Sequence, residues 1–160
     1  MSGAGRVSAD VVIAREAPEQ PDVMALIQAL DAFHARLYPA ASNHFADLSL
    51  LARPDVQFLV ARIDGDAAGC GAVVPDRRGW GEIKRMYVRP EVRGRRIGAR
   101  LLAMLESAAA GAGLPLLRLE TGVHNGEALA AYGRAGYRPI PPFGDYAPDP
   151  LSVFMEKTLG

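Results

Sequence analysis

The sequence predicts an α+β domain: a central mixed, mostly antiparallel sheet of about six to seven strands flanked by about four helices. Three observations carry this reading. Short β-branched runs bounded by Gly, Pro and Asp recur along the chain, longer apolar patterns of helical period interrupt them, and one glycine- and arginine-rich turn leads from a strand straight into a helix. With 160 residues the chain is long enough for one domain with a core of its own. That domain is expected over residues 10–160, and the small, polar residues 1–9 are expected to form a loose terminal segment.

In chain order, residues 10–16 carry Val11, Val12 and Ile13 and stop at Pro18, as a short strand does. From Asp22 the apolar residues Val23, Leu26, Ile27, Leu30, Phe33 and Leu37 return at helical spacing until Tyr38-Pro39 ends the pattern. A polar loop with Asn43 and His44 follows, and residues 45–51 read as a short second helix before Pro54. Residues 58–63 read as a strand, Asp64-Gly65-Asp66 as a turn, and residues 67–74 as the returning strand of a hairpin. Residues 80–88 are the next strand. Ile97, Leu101, Leu102, Leu105 and Ala109 mark a helix that Gly111 and Gly113 end. Residues 116–120 read as a strand, residues 126–135 as a helix leaving through Gly136-Tyr137, and residues 152–156 as the last strand. The five prolines of residues 139–150 read as a stiff loop.

Composition narrows the function. Hydrophobic residues make up 49% and charged residues 22%, with 18 basic side chains against 18 acidic ones. A balanced chain has no overall field to hold nucleic acid or an anionic membrane, and no apolar run approaches the roughly 20 residues that span a bilayer. The single Cys70 has no partner for an internal disulfide, and no charged-then-apolar leader opens the chain, so a cytoplasmic protein is expected. His34, His44 and His124 form no metal-binding pattern, so no metal is expected.

The chemistry concentrates in two blocks. Glu82-Ile83-Lys84-Arg85-Met86-Tyr87-Val88-Arg89-Pro90-Glu91-Val92-Arg93-Gly94-Arg95-Arg96-Ile97-Gly98-Ala99-Arg100 is a strand, a tight turn and a helix start, the arrangement that offers bare backbone N–H groups to a phosphate. Downstream, Asn125-Gly126-Glu127 opens a helix that carries Tyr132 and leaves through Gly136-Tyr137. Together the blocks resemble the GCN5-related N-acetyltransferase (GNAT) family. Its turn signature is Gln or Arg, two residues, Gly, one residue, then Gly or Ala; Arg93 and Gly98 match, whereas Arg96 stands where the family has glycine, a residue read as letting the backbone approach a pyrophosphate.

The resemblance implies transfer of an acetyl group from acetyl-CoA to a primary amine of a small molecule or peptide, by direct attack in a ternary complex. It places Glu82 as general base and Tyr132 as the acid that protonates the leaving thiolate. Met86, Tyr87 and Val88 would pair through their backbone with the pantetheine arm, Asn125 would contact that arm, and Arg93, Gly94, Arg95, Arg96, Ile97, Gly98 and Ala99 would hold the phosphates. The acceptor would be lined by Tyr38, Asn43, His44, Phe143 and Tyr146; Asp145 and Asp149 would favour a cation if they face inward. A homodimer is also compatible with the family.

The residues themselves leave alternatives. Strand alternation puts Glu82 on one face with Lys84, Met86 and Val88, and a strand-end glutamate paired with Lys84 or Arg85 would look the same. Tyr132 also reads as a core tyrosine, and Asn125 as a helix cap. The arginine cluster could serve nucleic acid. A catalytically silent CoA-binding module is the alternative from another class.

Overall fold

The computed structural model describes residues 10–39 and 47–160; residues 1–9, Asn43 and His44 lie outside them. In chain order the elements are β1 (Val11–Arg15), α1 (Pro21–Leu37), α2 (Leu48–Leu51), β2 (Gln57–Ile63), β3 (Asp66–Pro75), β4 (Gly81–Val88), α3 (Ile97–Gly111), β5 (Leu116–Gly122), α4 (Gly126–Arg134), β6 (Arg138–Ile140) and β7 (Ser152–Thr158). One 3-10 turn, Pro90–Val92, lies between β4 and α3. The strands form one sheet in the order β1-β2-β3-β4-β5-β7-β6, antiparallel except for the β4–β5 pair. The predicted α+β class is the observed one.

Local chemistry sets the boundaries. Helix α1 begins with Pro21 in its first turn beside Asp22, and it ends because Tyr38, at φ −135° and ψ 147°, takes the extended conformation that a residue before proline needs. Asp47 caps α2 by accepting from the Leu50 N–H at 2.8 Å. Asp64 and Gly65, at φ 51° and 85°, form the two-residue hairpin turn whose twist suits the flanking strands. Strand β6 corrects the expected loop: Pro139 interrupts no ladder, because β6 is the edge strand and pairs only with β7.

The sheet buries both faces. Against α1 it presents Phe58, Val60, Cys70 and Ala72. The opposite face presents Leu59, Ala61, Val73, Ile83, Leu117 and Leu119 to Leu101, Leu102 and Leu105 of α3, joined by Tyr132 and Tyr137. Each such leucine contributes about 1.5–3 kcal/mol by leaving water. Among the described residues no helix is long and apolar enough to cross a membrane.

Two irregularities of β4 position the site. Cys70 pairs with Tyr87 while Ala72 pairs with Lys84, so β4 spends one residue more than β3 over the same span, and Arg85 takes φ 62° in this bulge. The extra residue overturns the simple alternation. Glu82, Lys84 and Tyr87 face α1, whereas Ile83, Met86 and Val88 face α3. The second irregularity is a fork. Parallel pairing of β4 with β5 runs only from Gly81↔Leu117 to Ile83↔Leu119, after which both strands continue unpaired on that side.

Arg96 is the residue before α3, at φ 62° and ψ 24°. The position therefore demands a left-handed backbone, which is a conformational reason for glycine rather than the close approach that the sequence suggested. An L-residue there costs roughly 1–2 kcal/mol, partly offset by the greater freedom of an unfolded glycine. Arg96→Gly is expected to raise stability by about 0.5–1 kcal/mol, read as a higher denaturant midpoint; a lower midpoint would contradict this account.

Candidate active site

The fork opens into a cleft of about 1330 Å3. Its walls come from Leu30, Phe33, Leu37 and Tyr38 on one side, from residues 82–88 of β4, from the turn into α3, and from the end of β5 with the start of α4. Because the fork pierces the sheet, the cleft reaches both faces. Glu82 enters it from the α1 face and Tyr132, on α4, from the α3 face.

Glu82 is not solitary. Its Oε2 accepts a hydrogen bond from the Tyr146 hydroxyl and lies 3.2 Å from Lys84 Nζ, which also donates to the Tyr146 oxygen at 2.9 Å. Burial first, and then the Glu82 charge, push the Tyr146 phenol well above the ordinary tyrosine range, so it stays a donor at neutral pH. Lys84 was missed in the sequence as a site residue; only its place two residues after Glu82, on the same face, could have signalled it.

Tyr132 is buried with its ring edge-on to Tyr137 at 5.6 Å, and burial alone pushes its phenol above the ordinary range. It is neutral and protonated at physiological pH, and it is a core residue on the cleft wall. Tyr137 donates to Glu106, which also pairs with Lys157, both at 2.9 Å, and this network ties α3 to β7 at the rear of the cleft.

The turn offers the first backbone N–H groups of α3, from Ile97, Gly98 and Ala99, to the same cleft, with Gly94 and Arg96 beside them. Arg93 lines the cleft too, but its Nε donates to the Val88 carbonyl at 3.0 Å and its guanidinium lies 5.9 Å from the Tyr87 ring. Arg95 is not part of the wall. Arg89 and Arg100 turn away to the Ala67 and Val11 carbonyls, so the five arginines do not make one basic patch. Met86, Tyr87 and Val88 line the fork, where β4 has lost its β5 neighbour. Asn125 sits at the first position before α4 and makes no side-chain cap, which leaves its amide at the cleft.

The acceptor candidates divide. Tyr38 is on the wall, buried, stacked on His124 at 5.6 Å, and its oxygen accepts the His124 N–H at 2.9 Å. Burial is the main reason its phenol is raised. Tyr146 is on the wall as well. Phe143 is not: it packs against Trp80 at 5.2 Å and Phe154 at 5.7 Å, and so forms the support behind Tyr146. Asp145 has its side chain 99% exposed beside Arg78, and Asp149 caps the turn before β7 through the Leu151 N–H, so neither faces the cleft as expected. Glu120, at the fork on β5, is a wall carboxylate that the sequence did not mark; its Oε2 accepts from Ser152 Oγ at 2.7 Å. Cys70 is buried with its thiol pushed up to about 12 by burial, donating to the Arg85 carbonyl at 3.3 Å, and is inert as a nucleophile. Among the described residues no group of three or more His, Cys, Asp or Glu is placed to hold a metal ion.

A split sheet, a helix N-terminus at one end of the cleft and a carboxylate and a phenol on opposite sides of the fork define an enzyme of group transfer from a phosphate-bearing donor. Comparison with known proteins agrees. The family model for the acetyltransferase (GNAT) family matches residues 24–137. The chain is 52% identical to an IAA acetyltransferase of Azospirillum brasilense, over 94% of this chain and 99% of that one. It is 44% identical to the crystal structure of an acyl-CoA N-acyltransferase from Klebsiella pneumoniae, with a TM-score of 0.84 over 94% of this chain and 98% of the other. The PaiA N-acetyltransferase of Thermoplasma acidophilum, solved in complex with coenzyme A, shares the fold at a TM-score of 0.70 and 20% identity, over 93% of this chain and 99% of that one. The chain belongs to the GNAT family of acetyltransferases and is an acetyl-CoA-dependent acyltransferase.

Proposed function

We propose that this enzyme acetylates the primary amine of a small molecule or peptide by direct attack in a ternary complex, with Glu82 as base and Tyr132 as acid. The observation that carries the proposal is the meeting of these two side chains in one cleft from opposite faces of the sheet.

The residues fit the donor. An elongated ligand with phosphates at one end suits a cleft of about 1330 Å3 that ends on the N–H groups of α3, and a flexible amide-bearing arm suits the unpaired side of β4 at Met86, Tyr87 and Val88. Gly94, Arg96, Ile97, Gly98 and Ala99 would hold the phosphates, and Asn125 the arm. Bound there, acetyl-CoA supplies a thioester and a thiolate leaving group.

The acceptor enters on the α1 face as an ammonium, with a pKa of about 10 for an alkylamine, and must lose a proton before it can attack. Glu82 takes that proton, directly or through one water. The amine nitrogen then bonds to the carbonyl carbon, the carbon–sulfur bond breaks with its electron pair going to sulfur, the Tyr132 proton passes to that sulfur, and the nitrogen's second proton leaves to water, from which Tyr132 is reprotonated. The apolar wall of Leu30, Phe33, Leu37 and Tyr38 favours an amine with an apolar body.

Acetyl-CoA is expected to raise the melting temperature, and a thiol-release assay over amines, amino acids, peptides and the IAA of its relative's name identifies the acceptor. Binding with no turnover on any of them would favour a silent CoA-binding module. No thermal shift at high acetyl-CoA concentration would remove both readings.

A further inference from the structure

We infer that Lys84 and Tyr146 are positioning residues for Glu82: by engaging its Oε2 together they present Oε1 to the cleft as the proton acceptor. This rests on Glu82 being the base. Tyr146 donates to Oε2, Lys84 Nζ stands 3.2 Å from the same atom, and neither takes Oε1. A carboxylate turns easily about its last torsion, where the rotamer wells are broad and two-fold. A hydrogen bond from Tyr146 and the Lys84 charge on the same oxygen restrict that freedom before the acceptor arrives, which is the kind of prepaid orientation that raises turnover.

The donors are themselves held. Lys84 and Glu82 are two residues apart on one face of β4, immediately before the bulge, and their side chains are 16% and 13% exposed, so the pair is shielded from most solvent screening. Lys84 Nζ donates to the Tyr146 oxygen at 2.9 Å and sits 5.5 Å from its ring centre. The Tyr146 ring is wedged between Phe143 at 5.1 Å and Phe154 at 5.4 Å, so the loop between β6 and β7 brings the hydroxyl to a fixed point. The other charged or titratable groups around Glu82 have their own tasks. Arg118, its register partner on β5, pairs with Glu156 at 2.9 Å, Glu120 on β5 accepts from Ser152, and His34 of α1 and Tyr38 just after it reach the cleft wall.

A pair that only neutralised charge in the protein interior would affect stability and leave catalysis alone. The positioning role makes a different demand. Removing the Lys84 ammonium or the Tyr146 hydroxyl frees the carboxylate to turn, so part of its population is misaimed.

The test compares kcat and KM, with one amine at one pH, for the wild type, Glu82→Gln, Lys84→Met, Lys84→Arg and Tyr146→Phe; the acetyl-CoA thermal shift reports folding. Because the amine is the same throughout, its own ionisation cancels between variants. Lys84→Met and Tyr146→Phe are expected to lower kcat about tenfold and leave the KM for acetyl-CoA near wild type. Lys84→Arg, which keeps the charge, is expected to retain most of the wild-type kcat. Wild-type kcat in both Lys84→Met and Tyr146→Phe, with Glu82→Gln slow, would overturn the positioning role and leave the base in place. Full activity in Glu82→Gln would instead remove the base and the proposal with it.

Discussion

Glu82→Gln is expected to lower kcat by about a hundredfold to a thousandfold, the usual worth of a positioned general base. The amide keeps the shape of the side chain and still offers an oxygen to Tyr146, so the local structure survives; it offers no site for the acceptor's proton. In the proposed placement acetyl-CoA would contact other elements, the turn into α3 and the unpaired side of β4, so its thermal shift should remain as in the wild type. Loss of kcat with retained shift separates a catalytic defect from an unfolded one. Tyr132→Phe should cost less, about tenfold, because a thiolate whose conjugate acid has a pKa of about 8.5 can leave without a full proton. The pH profile adds a sign. Burial raises the Tyr132 phenol, so its protonated form persists to higher pH than an ordinary tyrosine's, and no alkaline limb belonging to it should appear below about pH 10. Turnover of Glu82→Gln equal to wild type at saturating substrate would remove Glu82 from the mechanism.

The features that were legible in the sequence are those written contiguously. The strand, turn and helix around Arg93 to Ala99 and the helix from Asn125 to Tyr132 are local, so composition and spacing declare them, and the fold follows from the order of such elements. What was not legible depends on partners distant in the chain. The bulge at Arg85 exists only relative to β3, and it alone decides that Met86 and Val88 leave the face of Glu82. The Lys84–Tyr146 hydrogen bond spans 62 positions, and no pattern within either segment announces it. Phe143 looked like a pocket wall because a loop aromatic among prolines has no visible partner, yet Trp80, just before β4, and Phe154 of β7 claim its ring. Arg96 shows the converse: its departure from the family signature was plain, whereas the reason glycine suits that place is a backbone angle that letters do not carry.

Gly122→Ala is expected to destabilise the fold by about 1–3 kcal/mol and to raise the KM for acetyl-CoA, although it adds one methyl group. A Cβ at Gly122 would overlap the phenol of Tyr38. That phenol has nowhere to go: the ring is buried, stacked on His124, and its oxygen holds the His124 N–H. The clash is therefore transmitted in two directions, into α1 through Tyr38 and into the turn that sets His124 and Asn125 at the start of α4. Asn125 lies on the cleft wall beside the unpaired edge of β4, so a shift there loosens the donor site without touching Glu82. Denaturant melts and acetyl-CoA titrations of Gly122→Ala, Tyr38→Ala and the double variant test the transmission. If the ring is the obstacle, the double variant is no less stable than Tyr38→Ala alone, because the methyl group then fills space that the phenol has vacated; strictly additive losses would mean that Gly122 serves some purpose other than making room for Tyr38.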